Sequence, residues 1–117
     1  MNRVQWFLLA AASAFGVAAL VHGGVLEAGY QHREAAIAES VIAVVLALAL
    51  AATGVAPHLT RPLGLAAQGF ALFGTMVGIV MIAIGVGPQS AFDIVLHAGF
   101  VTLLITGLAS TARRPVV

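Results

Sequence analysis

Residues 35–55 read AAIAESVIAVVLALALAATGV, an apolar stretch with one ionisable side chain, Glu39, that stops just before Pro57. A helix crossing a bilayer needs about 17–25 predominantly apolar residues, because each adds about 1.5 Å toward about 30 Å of hydrocarbon. This stretch has that length. It lacks the short, alternating pattern of a barrel strand. It therefore predicts a transmembrane helix, and the same measure predicts three more. One runs from about 4 to 22 and meets Gly23-Gly24. Another runs from about 63 to 86 and stops at Gly87-Pro88. The last runs from about 91 to 110. Glycine and proline stand where helices should end, not in their middles. The expected fold class is all-α, a single-domain integral membrane four-helix bundle over residues 1–117.

The composition agrees. Of 117 residues, 62% are hydrophobic and 8% charged, where a soluble domain carries roughly 25% charged residues. A water-facing surface cannot be built from that set, so lipid is the expected solvent. The net charge of +1 gives no sign of a nucleic-acid partner. Absence of cysteine excludes disulfides, thiolate catalysis, cysteine-ligated metals and thiol relays. Arg3, the apolar run and Ala12-Ser13-Ala14 have the outline of a cleavable signal peptide. The run continues to Val21, beyond a typical signal core, so a retained helix is expected.

Arginine placement sets the expected orientation. Arg3, Arg61, Arg113 and Arg114 fall at the N-terminus, the second loop and the C-terminus, which share one side of a four-span bundle. The positive-inside rule makes that side cytoplasmic, with both termini there. Arg33 and all the acids, Glu27, Glu34, Glu39 and Asp93, fall on or near the opposite side. Trp6 is expected as an inner interfacial anchor and Tyr30 as an outer one. His32 and His58 are expected to be solvated in loops. Gly69, Gly74 and Gly78 in the third span, and Gly99 and Gly107 in the fourth, let backbones approach closely. Packing within the bundle is the simpler account of them, and a face for another subunit the sharper one.

Ionisable groups in apolar spans are costly and commonly functional. His22 lies eighteen residues beyond Val4, roughly 27 Å along a helix, which puts it near the outer boundary. Glu39 lies near the start of the inward-running second span. Asp93 and His97 open the fourth, and their i,i+4 spacing predicts a shared face. These four residues are the candidate cofactor-binding set. Two histidines from different helices suit axial haem ligation. His22, Glu39 and His97 suit a two-histidine, one-carboxylate metal site, with Asp93 orienting His97. A histidine and a carboxylate also suit a quinone, as acid and base. Glu39 alone suits a proton or cation carrier. The plain alternative is interfacial placement, with Glu39 neutralised by His22 or His97 and the acids favoured by helix N-termini.

The chain resembles the DoxX-like group of small four-span bacterial membrane proteins. The resemblance rests on His22-Gly23 closing the first span and Glu39 opening the second. It continues through Ala43–Leu50 and Thr53-Gly54 to Thr60-Arg61-Pro62-Leu63-Gly64. It covers roughly residues 15 to 80. It implies a redox-associated subunit of a bacterial inner-membrane complex. Small multidrug-resistance proteins also have four spans, but their glutamate belongs in the first, which here has no acid. The function expected is therefore a redox-associated or accessory subunit with a cofactor, quinone or proton site near the outer face. Its partners would be lipid and other membrane subunits or copies of itself. The alternatives are a small oligomeric transporter or channel using Glu39, and a purely structural subunit.

Overall fold

The computed structural model describes residues 1–113. Four helices carry the fold: α1 (Arg3–His22), α2 (Arg33–Val55), α3 (Thr60–Ala83) and α4 (Ala91–Ala112), with a 3-10 turn at Pro57–Leu59. No strand occurs among the described residues. Each helix is long and apolar enough to cross a membrane. Arg114, counted above with the arginines, lies outside the described residues.

The helix ends follow local chemistry. Asn2 and Gln5 form a reciprocal capping box at the start of α1, which satisfies two of its free backbone donors. The start of α2 lies two residues earlier than position 35, because His32 is its N-cap and accepts the Ala35 N–H through Nδ1 at 3.2 Å. At α3 the helix begins at Thr60 rather than 63. Pro62 then sits in the first turn, where a missing N–H costs nothing. It ends at Ala83 rather than 86, because Gly85 and Gly87 take φ of +78° and +84°, which side chains resist.

The helices run up and down in sequence. α1 packs most extensively on α2, and α3 on α4. The bundle closes through α2–α3 and α1–α4, with α1 and α3 also meeting across a short diagonal. One end of the bundle carries the 23–32 and 84–90 connections; we call it the loop end. The other carries Asn2, the Pro57–Leu59 turn and Arg113, and is the terminal end.

The buried positions recur at alternating spacings of three and four, the seam of a knobs-into-holes bundle. They are Leu8, Ala11, Phe15, Ala18 and His22 on α1, and Glu39, Ile42, Leu46, Ala49 and Thr53 on α2. Large apolar side chains such as Val44, Leu48, Phe73, Val80, Val95 and Ile105 point outward. The inside mixes apolar with polar side chains and the outside is apolar as well, the arrangement that suits lipid.

Side-chain hydrogen bonds between helices collect at the two ends. At the terminal end Gln68 Nε2 donates to Thr111 Oγ1 at 2.9 Å and Gln5 Nε2 to Thr53 Oγ1 at 3.1 Å. Arg3 and Arg61 donate to the Ser110 and Ala112 carbonyls at the end of α4, where free carbonyls favour cations. Between the polar ends lies an apolar layer of Leu8, Phe15, Leu46, Ala71, Phe100 and Leu104. Phe15 and Phe100 stack within it at a centroid distance of 4.0 Å.

Candidate functional site

At the loop end one imidazole joins three helices. His22 closes α1, which lies between α2 and α4. Its Nδ1 is in hydrogen-bond contact with Glu39 Oε1 of α2, and its Nε2 stands 2.8 Å from Asp93 Oδ1 of α4. His22, Glu39 and Asp93 are 2%, 7% and 3% exposed. The triad is thus fully inside the bundle although each member sits within two turns of a helix end.

Local sequence aims each member. Asp93 is the third residue of the capping box that Ser90 opens for α4. Ser90 N–H donates to Asp93 Oδ2 at 3.1 Å, the Ser90 hydroxyl reaches the same oxygen, and Asp93 N–H donates back to Ser90 Oγ at 3.2 Å. That leaves Oδ1 to face His22. Above the triad, Tyr30 packs on Phe92 with centroids 5.1 Å apart, and Phe92 meets the edge of the His22 ring at 6.4 Å. The first connection is tied down over it by the His32 N–H, which donates to the His22 carbonyl at 2.8 Å.

Two hydrogen bonds from one imidazole to two carboxylates require two protons among the three groups. An imidazolium donating to both leaves the triad with one negative charge. A third proton, on Glu39 Oε2, would bring it to neutrality. That oxygen is buried and has no hydrogen-bond partner among the described residues. Glu39 also lines a cavity of about 400 Å³ between α2, α3 and α4. Ile42, Phe15, Phe100, Met81 and Ile82 supply apolar walls, and His97 and Thr75 add polar ones. His32, Gly87 and Pro88 lie at its loop-end mouth.

His97 does not join the triad. Its Nδ1–H donates to the Asp93 carbonyl at 2.7 Å. The carboxylate of Asp93 turns to His22 and Ser90 instead, so the orienting partnership expected from i,i+4 spacing runs through the backbone. His97 packs over Gly78 of α3: a Cβ there would stand 2.6 Å from His97 Nε2. Gly74 makes similar room for Ile42. This pair of glycines therefore serves packing within the bundle. Thr102 and Thr106 bond to carbonyls of their own helix.

The donor set does not fit the metal or haem alternatives. Both nitrogens of His22 are engaged by carboxylates, which leaves no lone pair on that ring for an iron or a divalent cation. His22, Glu39 and His97 form no metal-holding group, and no such group of three occurs among the described residues. The cavity is mostly apolar, with Glu39 and His97 as its ionisable lining residues beside His32 and Glu34, a lining compatible with the quinone alternative. Sequence reasoning missed His32, a helix cap at the cavity mouth, and Ser90, which aims Asp93. The Ser-x-x-Asp spacing of a capping box was the signal for Ser90. His32 offered no comparable signal, since histidine is not a usual cap. No known protein family, curated protein or solved structure matches this chain.

Proposed function

We propose that this chain is a redox-associated accessory subunit of the bacterial inner membrane, with both termini cytoplasmic and the loop end outside. Its cavity receives the headgroup of a quinone-class molecule, and the His22–Glu39–Asp93 triad exchanges protons with it. The observation that carries this reading is Glu39: one carboxylate oxygen is tied to His22, the other is buried and unpaired, and the residue lines an apolar cavity. A proton on that second oxygen is shared with whatever enters. The first oxygen couples it to His22 and, through His22, to Asp93. An ionisable group inside a membrane span is costly and marks a function by default.

Several observations support the orientation and the partners. Arg3 and Arg61 cluster at the terminal end, as the positive-inside rule requires of a cytoplasmic face. The resemblance to DoxX-like proteins supplies the redox association. The short connections between the helices hold no soluble catalytic domain, and in this reading the electron carrier belongs to a partner membrane subunit. The transporter alternative is disfavoured by the apolar layer, which separates the triad from the Gln68–Thr111 cluster. A purely structural subunit has no use for an unpaired buried carboxylate oxygen.

Equilibrium binding of a decyl-substituted benzoquinone to the detergent-purified protein tests the proposal. Saturable binding that Glu39→Gln weakens about tenfold is expected. No saturable binding in either redox form, with the protein folded and monodisperse, would overturn it.

A further inference from the structure

The cavity has a second polar point, and its chemistry is fixed by a backbone carbonyl. A carbonyl only accepts, so His97 Nδ1, 2.7 Å from the Asp93 oxygen, must carry the hydrogen. A neutral His97 therefore keeps its lone pair on Nε2. That nitrogen lies against Gly78, and both residues belong to the cavity wall. No hydrogen bond to it is formed among the described residues. His97 thus presents an acceptor, whereas Glu39 Oε2 accepts when ionised and donates when protonated.

A ring bearing two carbonyls can satisfy at most one of these points, through a protonated Glu39. Its other oxygen would place lone pairs toward His97 Nε2. A ring bearing two hydroxyls satisfies both, with one hydroxyl donating to Glu39 and one to His97. On the proposal that a quinone-class molecule enters this cavity, we infer that the site selects the reduced, dihydroxy form over the oxidised, dicarbonyl form. His97 is the residue that sets the preference. Burying an acceptor opposite an acceptor forfeits a hydrogen bond and leaves polar groups unpaired, a penalty felt in affinity.

The test compares one molecule in two redox states. The native protein in detergent is titrated anaerobically with decyl-benzohydroquinone and, separately, with decyl-benzoquinone. The hydroquinone should bind about tenfold tighter or more. In His97→Ala the two affinities should converge to within about twofold. In His97→Gln, which keeps a polar side chain and adds an N–H donor, the preference should move toward the quinone. Equal binding of both forms by the native protein, or tighter binding of the quinone, would overturn the inference while leaving the quinone-class site standing. An undiminished hydroquinone preference in His97→Gln would overturn the role of His97, whether or not His97→Ala folds. Binding of neither form would remove the underlying site as well.

Discussion

His22 Nε2 and Asp93 Oδ1 stand 2.8 Å apart and tie the end of α1 to the start of α4. The other nitrogen of the same ring holds Glu39 of α2. One side chain therefore fixes the relative depth of three helices. Removing it leaves two buried carboxylates without their shared counter-group. His22→Ala should lose about 3–5 kcal/mol, the usual cost of breaking a buried pair from one side. Glu39→Gln added to His22→Ala should recover part of that loss, because one stranded charge disappears with it. Unfolding of the single and double variants in mixed micelles measures the coupling. Strict additivity would show that the groups do not act as a unit.

The glycines of α3 separate by what faces them. A Cβ at Gly78 would meet His97 Nε2 at 2.6 Å, while one at Gly69 would meet nothing within 4 Å. Gly78→Ala should destabilise by about 1–3 kcal/mol through overpacking. Gly69→Ala should be neutral or gain up to about 1 kcal/mol from helix propensity. Gly78→Ala should also weaken hydroquinone binding, since His97 must turn away to admit the methyl group. Paired melting curves and binding titrations check both effects. Equal behaviour of the two variants would contradict the packing described.

Much of this architecture was legible in the chain. Apolar runs of membrane length are a strong signal, and Gly23-Gly24, Pro57 and Gly87-Pro88 mark where they stop. The boundaries that shifted did so for local reasons: His32 caps α2 earlier, and Pro62 is harmless in a first turn. The triad was only half legible. His22, Glu39 and Asp93 stand out as ionisable groups in or at the ends of apolar segments. Which carboxylate turns to which histidine depends on helix rotation and side-chain rotamers, and hydrophobic periodicity does not report these where the exterior is as apolar as the core. The i,i+4 spacing offers His97, one turn on, as a partner for Asp93, whereas Ser90 three residues before it carries the information that its carboxylate faces the helix start.

The terminal end offers a compensation test. Gln68 spans from α3 toward α4, donating to the Gly64 carbonyl at 3.0 Å and to Thr111 Oγ1 at 2.9 Å. A Cβ at Gly107 would collide with Gln68 Oε1 and stand 3.1 Å from Phe7. Gly107→Ala should therefore be costly, about 2 kcal/mol or more. Combining it with Gln68→Ala should cost less than the sum of the two, because the truncated glutamine frees the space the methyl group needs. Thermal unfolding of the two single variants and the double reads this directly. A double variant as damaged as the sum would mean that Gly107 is required for another reason.

The apolar layer decides whether protons cross. Phe15, Leu46, Ala71, Phe100 and Leu104 are all buried, and among the described residues no chain of side-chain hydrogen bonds runs from the triad to Gln68 or Thr53. Protons taken up at Glu39 should therefore exchange only with the side that carries the loops. Proteoliposomes bearing a pH-sensitive dye should show no proton leak above protein-free vesicles when a potential is applied. Replacing Leu104 with Asp would place a carboxylate in the layer between the two polar clusters. If the layer is the barrier, a leak should appear in that variant while hydroquinone binding at the loop end persists. A leak through the native protein that Glu39→Gln abolishes would instead establish the transporter alternative, and the triad would then be a station on a path across the membrane.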